Sequence, residues 1–112
     1  ESTHDFSASD DDTDSMITHI LYHLRDNRKN IIGILSGESG EMFLRYFKQY
    51  LCDIFAEQLK DRVQNKDVPM DFLLNHISCS FVEMINWWIH NDMKQSPEEL
   101  ERYFSAVVDP IL

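Results

Sequence analysis

The stretch Phe81-Val82-Glu83-Met84-Ile85-Asn86-Trp87-Trp88-Ile89-His90-Asn91, running on through Asp92-Met93-Lys94-Gln95 into Ser96-Pro97-Glu98-Glu99-Leu100, decides the fold. It reads as the end of a long apolar helix, a short turn and the start of a second helix. Ser96 is placed as an N-cap, its hydroxyl accepting from the Glu99 N–H while the Glu99 carboxylate reaches back to the Ser96 N–H. Pro97 takes the first helical position, where a missing N–H costs nothing. Glu98, Glu99 and Glu101 put negative charge in the first turns, where the helix dipole favours it. Trp87 and Trp88 lie about 100° apart on a helix and cannot share one face. One of them is therefore free to line the domain core while the other is offered to a partner.

Working outward, the spacing predicts five helices and no strand. The first covers about 14–27, with Ile17, Ile20, Leu21 and Leu24 at helical steps. A short apolar second, about 28–35, ends where Ser36-Gly37-Glu38-Ser39-Gly40 breaks the pattern. The third, about 40–65, carries Phe43, Phe47, Tyr50, Leu51, Ile54 and Phe55 on one face and Arg45, Lys48, Glu57, Lys60 and Arg62 on the other. In the fourth, about 68–91, Leu74, Ile77, Phe81, Met84 and Trp88 alternate steps of three and four, the seam of a packed helix pair. A second line, Ser78, Val82, Ile85 and Ile89, runs beside it, and the small Ser78, Cys79 and Ser80 allow another helix to approach. The fifth, about 97–109, has Leu100, Tyr103, Phe104, Val107 and Val108 on one stripe and stops before Pro110. The expected architecture is an all-α bundle in which the last two long helices form a dimer interface.

Composition narrows the function. The 112 residues suffice for one domain that buries roughly 65% of its unfolded surface. The formal charge is −10, of which residues 1–14 hold −6 (Glu1, Asp5, Asp10, Asp11, Asp12 and Asp14) and the remainder −4. Residues 1–14 are expected to be an acidic linker or tail and 15–112 the helical domain. A chain this acidic has no footprint for a phosphate backbone. No apolar run approaches a membrane span and no signal peptide is present, so a cytoplasmic setting without membrane contact is expected. Cys52 and Cys79 lie far apart and suit a reducing compartment. The chain starts at Glu1 rather than Met, which suggests a piece of something longer.

Catalytic chemistry finds no foothold. His19 and His23 are four apart on one helical face, the spacing of a metal or haem pair, but no third ligand accompanies them, and they read as surface or boundary histidines. His76 and His90, fourteen apart, share a face and read as interface or surface residues. The Ser36–Gly40 loop lacks the lysine of a phosphate loop, and no nucleophile elbow, Cys–His pair or paired-carboxylate pattern is present. Neither an enzyme nor a cofactor or metal is expected. The aromatic stripe of Phe43, Phe47, Tyr50 and Phe55 suits core packing or, with Trp87, an effector pocket between helices.

Two segments resemble a known family. His23-Leu24-Arg25-Asp26-Asn27-Arg28 through Ile34-Leu35-Ser36-Gly37-Glu38-Ser39-Gly40 is one, and the pattern Ile85, Trp87, Trp88, Ile89, Asn91, Met93, Ser96, Pro97, Glu98, Glu99, Leu100 within Phe81–Phe104 is the other. Both are similar to the C-terminal regulatory domain of TetR-type transcription regulators, of the Firmicute-type group, over about residue 16 to the end. The resemblance implies a homodimer whose last two helices pair with those of the partner. It also implies a small-molecule or protein effector, and operator DNA contacted only through an N-terminal helix-turn-helix that lies outside this chain. Leu74, Ile77, Phe81, Met84, Ile85, Trp88, Phe104, Val107 and Val108 are the expected interface. The competing expectation is a stand-alone helical protein-interaction module with no DNA role.

Overall fold

A computed structural model describes residues 12–112, with side chains from residue 16. Five α-helices follow one another: α1 (Asp12–Asp26), α2 (Arg28–Ser36), α3 (Gly40–Leu59), α4 (Met70–His90) and α5 (Pro97–Val108), with a closing 3₁₀ turn at Asp109–Ile111. The described residues contain no strand, as the all-α expectation requires. Residues 1–11, most of the expected acidic linker, lie outside the described residues.

The core forms where α3, α4 and α5 meet. Phe55, Phe81 and Phe104, one from each helix, pack as a ring triad with centroids 5.2 to 5.9 Å apart. Edge-to-face and offset pairs at this distance use the ring quadrupole favourably. Around the triad lie Ile17, Leu21 and Leu24 of α1, Leu51 and Leu59 of α3, Leu73, Ile77, Ile85 and Trp88 of α4, and Leu100 and Val108 of α5. The periodicity of α1, α3 and α5 is thus that of one buried stripe each. By contrast, α2 buries none of its residues. It is held at a tight bend, where a Cβ on Gly40 would stand 2.7 Å from the backbone oxygen of Leu35. Any side chain there forces the α2–α3 corner open.

The corner between α4 and α5 is built as its chemistry dictates. Ser96 Oγ accepts from the Glu99 N–H at 3.1 Å, and Glu99 Oε1 accepts from the Ser96 N–H at 2.9 Å, closing the capping box. The Asn91 side-chain amide donates to the Trp87 carbonyl at 2.9 Å, and the Trp88 indole N–H donates to the Gln95 carbonyl at 3.0 Å. Two consecutive non-glycine residues, Asp92 and Met93, take positive φ of 59° and 50° to make the turn. Met93 is held there by burial of its side chain and by its N–H bond to the Trp88 carbonyl at 2.8 Å. Asp92 is exposed, and its N–H bond to the Ile89 carbonyl at 3.0 Å is a backbone bond that glycine would keep. Asp92→Gly is therefore expected to stabilise the subunit by about 0.5–1 kcal/mol, read as a higher urea midpoint at unchanged slope.

Two helix ends differ from the sequence expectation. α3 stops at Leu59 instead of running to 65, because the Gln64 and Asn65 N–H groups both donate to the Leu112 carbonyl at 2.7 Å. The Asn65 amide adds a bond to the Ile111 carbonyl at 3.1 Å. The segment after α3 is pulled off the helix axis to cradle the last residues. α4 starts at Met70 rather than 68, since Pro69 stands in extended geometry at the N-cap.

Candidate functional site

The alternating steps of α4 describe two lines, and packing chooses between them. Leu74, Ile77, Phe81, Met84 and Trp88 form the inward line: Ile77, Phe81 and Trp88 are fully buried in their own subunit, and Leu74 and Met84 pack against that core. A parallel line, His76, Ser80, Glu83, Trp87 and His90, keeps the same four-three rhythm and faces outward, with His76, Glu83, Trp87 and His90 exposed. α5 divides in the same way. Leu100, Phe104 and Val108 enter the core, whereas Tyr103 and Val107 are 43% and 61% exposed.

Side by side, the outward parts of α4 and α5 make an apolar face. Trp87, 46% exposed, meets the Tyr103 ring edge-to-face with centroids 6.5 Å apart. Ser80, Met84, Trp87, Tyr103, Phe104 and Val107 line an open groove of about 240 Å³. Ser80 is what opens it: a hydroxymethyl there leaves room that a leucine would fill.

This geometry redistributes the expected interface. Ile77, Phe81, Ile85, Trp88, Phe104 and Val108 are corrected to core residues, because burial in their own chain leaves them little or no surface to share. Phe104 alone of these also reaches the groove floor. Met84 and Val107 stand on the outer face, Leu74 does not, and Ser80 and Tyr103 join them. The second line read from the sequence, Ser78, Val82, Ile85 and Ile89, is not the outward one; the signals for Ser80 and Trp87 were the small side chain of the one and the 100° offset of the other from Trp88. For Tyr103 it was the width of the α5 stripe, too broad for one buried face.

The expected effector residues do not converge. Phe43 and Phe47 stack in parallel at 5.9 Å and are partly buried, and Tyr50 is exposed on the same helix. Phe55 is sealed in the core triad and Trp87 belongs to the α4–α5 face, so these two are corrected out of the set. The space beside Phe55 and Phe104, bounded by Ile17, Leu59 and Val108, measures about 10 Å³, room for one water. What remains of the candidate pocket is an open aromatic face on α3.

Ionic and metal chemistry is sparse. The His19 and His23 rings meet edge-to-face at 5.1 Å, a packing contact. No group of three or more His, Cys, Asp or Glu suited to a metal ion is found among the described residues. Cys52 and Cys79 are free thiols. Likewise, no helix among the described residues is long and apolar enough to cross a membrane.

Two side-chain bonds clasp α1 to α5. The Tyr22 hydroxyl donates to Glu98 Oε2 at 2.7 Å and the Thr18 hydroxyl to Glu101 Oε1 at 3.2 Å, with the Arg25 guanidinium 5.0 Å from the Tyr22 ring centre. The Tyr22 bond, then the helix-start backbone N–H and Arg25, hold the Glu98 carboxyl below its ordinary range, and the same bond raises the Tyr22 phenol. A depressed folded-state carboxyl contributes stability above its unfolded pKa and loses it as pH falls through the folded one. The raised phenol contributes below its unfolded pKa and loses it as pH rises through the folded one. Tyr22→Phe is expected to move the Glu98 titration upward, followed by side-chain carboxyl NMR.

A family model described as "Transcriptional regulator C-terminal region", of the TetR type, matches residues 11–110. Comparison with curated proteins and with solved structures gives no match.

Proposed function

Because the chain belongs to the TetR-type family of transcriptional regulator C-terminal regions, we propose that it is the homodimerisation and effector-sensing part of a regulator whose DNA-binding helix-turn-helix lies outside this chain. The family is not an enzyme family, and its domains typically dimerise and bind effectors. The observation that carries the dimer is the outward face of α4 and α5. Trp87, Tyr103 and Val107 expose large apolar surface beside a 240 Å³ groove, and contiguous apolar surface of this kind marks an association site. The face suits a two-fold contact, in which a protruding residue of one copy enters the groove of the other and the reverse occurs at once.

The effector side is the aromatic face of α3, with Phe43, Phe47 and Tyr50. It lies on a different helix from the subunit contact, so an effector acts by shifting the population of subunit arrangements rather than by competing for the contact. The α1–α5 clasp ties the start of the described chain to a helix of the dimer face, a route by which a change at one end reaches the other. The native mass of the 112-residue chain by sedimentation, at several protein concentrations, tests the reading. A monomer throughout would transfer the assignment to a stand-alone helical interaction module.

A further inference from the structure

The α4–α5 groove is sized for a side chain. Its volume of about 240 Å³ falls below the roughly 300–1,000 Å³ of small-molecule sites. Ser80 and Trp87, both in its wall, are seven residues apart, so they stand about 10 Å apart along α4 and only about 20° apart around it. One seam therefore carries a notch at one end and a large half-exposed ring at the other. The Tyr103 ring braces that indole edge-to-face at 6.5 Å, so little side-chain freedom is left to lose on docking.

A two-fold axis crossing α4 midway along this seam, between Glu83 and Met84, makes the two copies of α4 antiparallel. It sets each Trp87 against the partner's Ser80, and large side chains facing small ones fill space at both ends at once. Parallel copies would set ring against ring and leave a void between the two serines. Glu83 is exposed and stands about 40–60° round from the seam, which keeps its carboxylate at the rim, in water. The extent is adequate too. Helices of 21 and 12 residues side by side present roughly 500 Å² in plan, more than the roughly 400 Å² a side that packing contacts reach.

We propose that Ser80 is the residue by which this chain selects a second copy of itself, as the notch that receives Trp87 of the partner subunit. This rests on the dimer reading of the α4–α5 face and adds its register and its selectivity. A related subunit with a larger side chain at the position of Ser80 is turned away by the same knob that the correct partner accepts.

The test mixes two variants of the 112-residue chain, Trp87→Ala and Ser80→Leu, and measures every dissociation constant by sedimentation and native mass spectrometry. Each variant alone should dimerise about tenfold or more weakly than the parent, one for want of two knobs and the other from two filled notches. In the mixed dimer one contact is native and the other sets the introduced leucine against the introduced alanine. It should therefore be about tenfold or more tighter than the geometric mean of the two variant homodimers, which is what independent effects would give. The comparison is made between chains, so packing of the leucine against the alanine within one chain cannot imitate it. Ser80→Val, a smaller filler, repeats the measurement, and circular dichroism confirms that every chain is folded.

A mixed dimer at the geometric mean would overturn the proposal, as would filled-notch variants that dimerise like the parent. A dimeric parent with either of those results leaves the dimer reading standing and removes only the Ser80–Trp87 pairing. A parent that is monomeric at every concentration removes both.

Discussion

Replacing Trp88 with alanine is expected to lower the unfolding free energy of the separated subunit by about 3–5 kcal/mol, whereas Trp87→Ala changes that of the separated subunit by less than about 1 kcal/mol. The two residues are neighbours in sequence and opposites in role. Trp88 is fully buried, and its indole N–H is satisfied by the Gln95 carbonyl. Its removal leaves a cavity beside the aromatic triad and an orphaned carbonyl in the corner that orients α5. A domain of this size has a total stability of about 5–15 kcal/mol, so Trp88→Ala should leave a marginal or partly unfolded subunit. Urea unfolding followed by circular dichroism, with both variants made in the Val107→Glu background so that only separated subunits are compared, reads both. Similar losses in the two would mean that Trp87 is also packed inside its own subunit.

Much of the architecture was legible because its causes are local. The Ser96–Glu99 box, Pro97, the glycines of the 36–40 corner and the apolar stripes each act within a few residues, and the helices start close to where those signals lie. The motifs that carried the family resemblance are, physically, corners. Gly40 is fixed by the Leu35 carbonyl, and Asn91, Met93 and Gln95 by bonds to the end of α4 and its Trp88 side chain. What escaped has distant causes. The end of α3 at Leu59 is set by hydrogen bonds to Leu112, more than fifty residues on. The sidedness of α4 is decided by α3 and α5 packing on one of two heptad lines that lie about a third of a turn apart. Reading the wider apolar arc as one interface merged a core with a surface. Phe55 was open to the same confusion, since an aromatic stripe looks alike whether it seals a core or lines a pocket.

The largest effect on assembly is expected from charge placed on the outward line of α4 and α5. The 112-residue chain should sediment as a dimer at several micromolar, and Trp87→Glu or Val107→Glu should raise its dissociation constant by about 100-fold or more. Hot-spot aromatics at subunit contacts carry about 2–4 kcal/mol, and 1.4 kcal/mol is tenfold in affinity. A carboxylate buried opposite its own copy adds a desolvation cost twice, once per subunit. Both positions are exposed within the subunit, so the helical content of the separated chains should match the parent, and their urea midpoint that of the parent diluted below its dissociation constant. That control distinguishes these variants from Trp88→Arg or Phe104→Arg, where any loss of dimer follows from a broken core. Two subunits at −10 each bring −20 together, so the dimer should tighten as salt screens that repulsion. If the Glu variants stay dimeric, the subunits meet elsewhere. The exposed apolar residues of α2 and α3, among them Ile32, Ile34 and Leu44, would then be the face to charge next.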